Sequence, residues 1–350
     1  MDLGQPNVNT QILRDTAQKF VASGKGLLAM DESSPTCDKR FADAGIPRTE
    51  EMRRAYREMI VTTPGLSEAI SGAIHYDETI HQRAKDGKPF AEVLTGAGII
   101  PGIKVDLGAK ELAFHTAEKI TEGLDGLRDR LRNYCELGTR FAKWRAVVAL
   151  GDAIPSLGCI ETNAHALARY AALCQEAGLV PIVEPEVLMD GDHTMERTRA
   201  VTEEVLHRVF HQLYVQRVVL EAIILKPNMV LPGLTCPKQE TVEEVAEATV
   251  QCLLQTVPAA VPGIAFLSGG QSGELASARL NAMNSIARPP GSPLPWTLTF
   301  SFARAIQHPA MEIWGGKDSN VPAAQKALYN RAMCNRAAVH GEYSAAMEHS

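Results

Sequence analysis

Eight short, apolar, β-prone runs alternate with amphipathic stretches along this chain, and that alternation limits the fold more than any other feature. The runs are Gly26–Asp31, Ala69–His75, Ile100–Asp106, Trp144–Leu150, Val180–Glu186, Val219–Lys226, Ile264–Ser268 and Thr297–Phe302. Several are near-continuous in Val, Ile, Leu and Ala, the composition of a strand buried on both faces of a parallel sheet. Between them, Thr162–Ala177 and Thr241–Gln255 carry the clearest helical periodicity, and Thr241 with Glu244 has capping-box spacing. Strand–helix alternation implies βαβ units. Eight such units predict an α/β chain folded as a single (β/α)₈ TIM barrel over residues 1–350, with a mobile tail at about 341–350. The Pro-rich stretch Pro289–Pro293, before the last strand, reads as a surface loop.

Other architectures lack support. No Gly-x-Gly-x-x-Gly follows the first strand, and no Gly-x-x-x-x-Gly-Lys-Ser/Thr occurs. A net charge of -6 argues against non-specific nucleic-acid binding, which needs a basic face. The seven cysteines form no Cys-x-x-Cys pair, which fits free thiols in a reducing compartment. No apolar stretch reaches the roughly 18 residues of a membrane span. The first residues carry no secretory pattern, so a cytoplasmic enzyme is expected.

In a barrel of this kind the active site is built at the C-terminal ends of the strands. The sixth run, Val218–Leu225, is almost uniformly apolar and stops at Lys226-Pro227. Lysine is rarely buried without a partner or a role. Burial favours the uncharged amine, which can attack a carbonyl and form a Schiff base. The plainer alternative is a lysine that reaches solvent as its strand surfaces. The other strand ends favour chemistry. They carry Asp31, Lys104 and Asp106, Glu184 and Glu186, with Lys143, Trp144 and Arg145 near the fourth strand. Residues two apart on a strand point the same way, so Lys104 pairs in direction with Asp106, and Glu184 with Glu186. Asp106 could equally be a structural acceptor. The orientation of Lys143 and Arg145 depends on where the fourth strand begins.

After the seventh strand comes Ser268-Gly269-Gly270-Gln271-Ser272, and after the eighth Ala303-Arg304. Glycines let backbone N–H groups approach an anion, a helix starting near Gly273 adds its positive end, and this is the common phosphate position of such barrels. Asp190-Gly191-Asp192-His193 lacks the paired histidine spacing of a metal site and reads as a polar loop.

The segments Ala29–Ser33, Gly102–Asp106, Phe141–Arg145, Val183–Glu186, Leu225–Met229, Phe266–Ser272 and Phe300–Arg304 are collinear and span nearly the whole chain. Together they closely resemble the class I fructose-bisphosphate aldolases. The resemblance implies a (β/α)₈ barrel and reversible cleavage of fructose 1,6-bisphosphate to dihydroxyacetone phosphate and glyceraldehyde 3-phosphate, without a metal or other cofactor. It implies Lys226 as the Schiff-base lysine, Glu184 as general acid/base for the imine, and Asp31 as acceptor of the hydroxyl proton. Lys143 and Glu186 would orient these groups. Ser268, Gly269, Gly270 and Arg304 would hold one phosphate, and Ser33, Arg40, Lys104 and Arg145 would serve the rest of the substrate. It also implies a small-molecule substrate, no nucleic-acid or membrane partner, and a homotetramer. Two departures stand out. Ala303 replaces a glycine common in animal members. The last tyrosine is Tyr343, whereas animal and plant members end in one thought to assist proton exchange. Any tail contribution is therefore expected to be weak or different. A metal-dependent aldolase or isomerase, and a non-catalytic scaffold on the same barrel, are the competing expectations.

Overall fold

The computed structural model describes residues 10–286 and 294–349, so the Pro289–Pro293 segment lies outside the described residues. Eight parallel strands close in the order β1-β10-β9-β8-β7-β6-β3-β2. These are β1 (Gly26–Ala29), β2 (Ile70–His75), β3 (Ile100–Lys104), β6 (Phe141–Val148), β7 (Val180–Val187), β8 (Ile224–Leu225), β9 (Gly263–Phe266) and β10 (Thr297–Phe302). A small antiparallel hairpin that the sequence did not announce, β4 (Ala109–Glu111) and β5 (Lys119–Thr121), sits in the loop after β3. In chain order the helices are α1 (Thr10–Val21), α2 (Ser34–Asp43), α3 (Glu50–Val61), α4 (Asp77–Ile80), α5 (Phe90–Gly96) and α6 (Leu127–Glu136). They continue with α7 (Leu157–Glu176), α8 (Met195–Val215), α9 (Val242–Thr256), α10 (Gly273–Ser285), α11 (Arg304–Trp314) and α12 (Val321–His340). The capping box at the start of α9 forms as its spacing predicts, with Thr241 Oγ1 accepting from Glu244 N and Glu244 Oε2 from Thr241 N.

Two separate cores follow from strand alternation. Residues facing outward, such as Phe300, Phe302 and Trp144, pack with the surrounding helices. Inward residues Leu27, Ala29, Ile74, Phe141, Ile182, Ile224 and Ala265 form a second cluster inside the barrel. The apolar stripe of α1 (Leu13, Ala17, Phe20 and Val21) joins that cluster and plugs the N-terminal end. Phe141 fills the space because its neighbour is Gly102, where a Cβ would lie 2.2 Å from the Phe141 ring. The result is an apolar floor, one layer of side chains below the strand ends.

The sixth strand departs from expectation. The run Val219–Lys226 reads as one long strand, but Leu220–Ala222 is a 3₁₀ turn and only Ile224–Leu225 is extended ladder. Gln175 of α7 explains this. Its amide accepts from Val219 N at 2.9 Å and donates to Val219 O at 2.9 Å and Ala222 O at 3.2 Å. A side chain thus satisfies backbone groups that a longer strand would have paired. The fourth strand begins at Phe141, three residues before the predicted start at Trp144. The tail expected to be mobile is described through His349, and Tyr343 N donates to Asn281 Oδ1 at 2.8 Å.

His75 on β2 is fully buried. Its Nδ1 lies 2.9 Å from Gly102 O, and its Nε2 has no partner among the described residues. Burial pushes its pKa down to about 4 from 6.5. The unfolded chain therefore binds more protons between these values, so the neutral ring stabilises the fold above pH 6.5 and that contribution is lost as pH falls toward 4. His75→Gln should flatten the fall in thermal midpoint between pH 7 and pH 4. An unchanged slope would assign it elsewhere.

Candidate active site

One alternation step above the apolar floor, the inward residues become charged. Asp31 lies two residues after Ala29, Lys143 two after Phe141, Glu184 two after Ile182 and Lys226 two after Ile224. These four groups are buried, at 8%, 4%, 3% and 3% exposure. Lys226 Nζ lies 3.3 Å from Glu184 Oε1. Lys143 Nζ lies 3.0 Å from Glu184 Oε2 and donates to Asp31 Oδ2 at 3.0 Å. Lys143 thus bridges two carboxylates, and the cluster holds two cations against two anions. Glu184 Oε2 has no aligned hydrogen bond among the described residues, so that contact is one of charge.

The neighbours fix two of the four protonation states. Burial opposes charge on Asp31, but Lys143 and Lys226 outweigh it and hold its pKa well below the usual carboxylate range. Burial likewise opposes charge on Lys143, but Asp31 and Glu184 outweigh it and hold its pKa well above the usual lysine range.

The next step toward the mouth carries Arg145 and Glu186, with Nε to Oε2 at 2.5 Å. Starting β6 at Phe141 settles the orientation left open by the sequence: Lys143 and Arg145 face inward, while Trp144 faces out and stacks near Tyr170. On β3, Lys104 Nζ lies 2.6 Å from Asp106 Oδ1. Asp106 also accepts from Gly108 N and Arg145 N, so it serves as a structural acceptor. Ser33 Oγ lies 3.0 Å from Thr36 Oγ1 at the start of α2. Arg40 Nη1 lies 2.5 Å from Glu32 Oε1. Among the described residues, no hydrogen bond or ion pair joins Ser33 or Arg40 to the Lys226 cluster.

Ser268, Gly269 and Gly270 follow β9, and α10 starts at Gly273 with Ser272 as its N-cap. Gly269 and Gly270 have φ of 54° and 90°, a backbone that glycine adopts without strain. Gly269 has no room for a side chain, since a Cβ would lie 1.8 Å from Met189 Cε. A Cβ on Gly270 would lie 3.5 Å from Arg304 Nη2, so the arginine from the neighbouring strand end stands beside the glycine loop. Two consecutive glycines at positive φ, a helix start and an exposed guanidinium have the make-up of an anion cradle.

Several contributors escaped the sequence reading. Glu32 takes Arg57 Nη2 at 2.7 Å and Gln307 Nε2 at 3.1 Å besides Arg40. Burial opposes its charge, and Arg57 and Arg40 outweigh that and lower its pKa. Arg279 donates to Gln271 Oε1 at 2.8 Å, and Gln271 donates to Ser268 O at 2.9 Å, bracing the cradle from behind. Burial lowers the Arg279 pKa to about 10. Ser301 faces inward between Phe300 and Phe302, and its buried hydroxyl has no partner among the described residues. The alternation Phe-Ser-Phe was the available signal for it. Arg57 and Arg279 sit on helices with nothing local to mark them.

A closed parallel barrel with a buried lysine–carboxylate layer at its strand ends has the make-up of a barrel enzyme. The family described as fructose-bisphosphate aldolase class-I matches residues 12–350. The chain is 57% identical over 333 residues to a probable fructose-bisphosphate aldolase class 1 of Xanthomonas axonopodis, covering 95% of this chain and 98% of that one. It is 51% identical to a fructose-bisphosphate aldolase of Drosophila melanogaster, covering 95% and 91%. A crystal structure of fructose-bisphosphate aldolase from Plasmodium falciparum, in complex with TRAP and a small-molecule inhibitor, superposes with a TM-score of 0.94. It shares 45% identity and covers 97% of both chains. The chain belongs to the class I fructose-bisphosphate aldolases, which are metal-independent carbon–carbon lyases.

Proposed function

We propose that Lys226 carries the reversible cleavage of fructose 1,6-bisphosphate through a Schiff base. Its Nζ attacks the ketone carbon, and Glu184 supplies the proton with which the carbinolamine hydroxyl leaves as water. The protonated imine draws the electrons of the breaking C3–C4 bond, leaving a neutral enamine, while Asp31 takes the C4 hydroxyl proton. Glyceraldehyde 3-phosphate departs. Protonation of the enamine and hydrolysis of the imine release dihydroxyacetone phosphate and restore the amine. Lys143 stays charged and orients Asp31 and Glu184, and Glu186 holds Arg145 at the mouth. Ser268, Gly269, Gly270 and Arg304 bind one phosphate; Ser33, Arg40, Lys104 and Arg145 serve the other end.

The observation that supports this most is Lys226 Nζ lying 3.3 Å from Glu184 in a buried layer. Borohydride reduction with dihydroxyacetone phosphate should add covalent mass at Lys226, and an adduct elsewhere or none would overturn the assignment. Activity should survive EDTA, which separates this chemistry from a metal-dependent barrel. Glu184→Gln should slow imine formation by about 10²–10⁴-fold in single-turnover kinetics, the scale of a lost general acid/base. A full rate would reassign the role. The reading includes a cytoplasmic homotetramer. It rests on family resemblance and on exposed apolar side chains at the end of α8, Tyr214 and Val215; a sedimentation mass near one chain would overturn the tetramer.

A further inference from the structure

The two halves of the anion cradle stand at the starts of two helices, and one buried guanidinium ties those starts together. Arg331 of α12 donates through Nε to Ala305 O, in the first turn of α11, at 3.0 Å. Through Nη2 it donates to Ser277 Oγ of α10 at 2.9 Å. The Ser277 hydroxyl lies 3.0 Å from Gly273 O, the first residue of α10, and 2.7 Å from Asn335 Oδ1. The junction is tight: a Cβ on Gly273 would lie 2.8 Å from Ala305 O and 2.9 Å from Arg331 Nη2.

The third arm of Arg331, Nη1, meets Glu348, its single ion-pair partner among the described residues. Both side chains are buried, at 5% and 9% exposure. Glu348 Oε1 also accepts from Tyr343 Oη at 2.8 Å. Tyr343 N is anchored on Asn281 of α10, and Asn330 Nδ2 donates to Met347 O at 3.1 Å. The tyrosine hydroxyl is thus engaged with the tail itself. A buried cation stripped of its counter-charge is driven toward solvent. Here that movement would pull on the first turns of α10 and α11, and anion donors lose affinity when displaced by even small distances.

We infer that Arg331 and Glu348 are positioning residues for the phosphate end of the substrate, with the segment from Tyr343 to Glu348 acting as a strut that sets the gap between Gly269-Gly270 and Arg304. The inference rests on the phosphate role given above to those residues. It assigns the tail a part in binding and none in proton transfer.

The test uses the full chain with Glu348→Ala and Glu348→Gln. Glu348→Ala should raise KM for fructose 1,6-bisphosphate by roughly tenfold, the scale of one lost charge-assisted contact, with kcat nearly unchanged. Calorimetric binding of inorganic phosphate should weaken by a similar factor. Glu348→Gln, which keeps an acceptor without the charge, should fall between. Borohydride trapping at Lys226 should persist in both variants at saturating dihydroxyacetone phosphate. A fall in kcat at constant KM, or unchanged KM and phosphate affinity, would overturn the strut. Loss of trapping in the unsubstituted protein would count against the imine alone, because phosphate affinity is read independently of it.

Discussion

Lys226→Met will abolish carbon–carbon cleavage while leaving a folded protein that still binds phosphate. Methionine has nearly the length of the lysine stem and suits an apolar floor built from Ile224, Phe141 and Ile182. It has no amine, so neither the imine nor the enamine can form. The expected fall in kcat is roughly 10⁴–10⁶-fold, the range for losing a covalent nucleophile. Calorimetry with inorganic phosphate should show affinity close to that of the parent, because Ser268, Gly270 and Arg304 are untouched. A variant retaining a tenth of the activity would place the nucleophile elsewhere. Glu184 would be left with Lys143 as partner, so its carboxylate remains paired and the fold should persist.

Lys143→Met should lose both activity and stability. Among the described residues, Lys143 is the one cation touching both Asp31 and Glu184. Removing one partner from a buried ion network leaves an uncompensated charge and costs about 3–5 kcal/mol. The signs on pH can be worked out. Asp31 has a lowered pKa, so its contribution is present above the unfolded value of 3.8 and lost as pH falls through the folded value. Lys143 has a raised pKa, so its contribution is present below 10.5 and lost only as pH rises through its folded value. The pair therefore stabilises the fold across neutral pH, and chemical denaturation at pH 7 should show the full loss in the variant. Without Lys143 the Asp31 carboxyl protonates more readily, so the acid limb of the activity profile should move to higher pH. Turnover should fall by about 10²–10⁴-fold, as for other acid/base machinery. A midpoint and pH profile matching the parent would mean that the network is not coupled as its distances indicate.

The eight-stranded barrel was legible in the alternation of apolar runs with helical stretches, and much of the charged layer because a strand repeats every two residues. Once Ile224 is inward, Lys226 must be, and the same holds for Ile182 and Glu184; Lys143 follows only from a fourth strand that begins at Phe141. Legibility ended where a distant side chain took over a local preference. The run from Val219 has every mark of a strand, yet Gln175 on α7 ties its backbone into a turn. Likewise, nothing in the sequence shows that Glu32 pairs with both Arg40 and Arg57. Arg331 carries no local signal, since a helical arginine looks the same whether it faces water or joins three segments. Periodicity reports which side a residue faces; it does not report which partner waits there.

The plug of α1 beneath the barrel makes this active site a cup with a single rim. Both three-carbon products then leave by the opening through which the six-carbon sugar arrived. With the imine proposed at Lys226, retention of the bonded half would keep the cup occupied for the reverse condensation whenever an aldehyde returns.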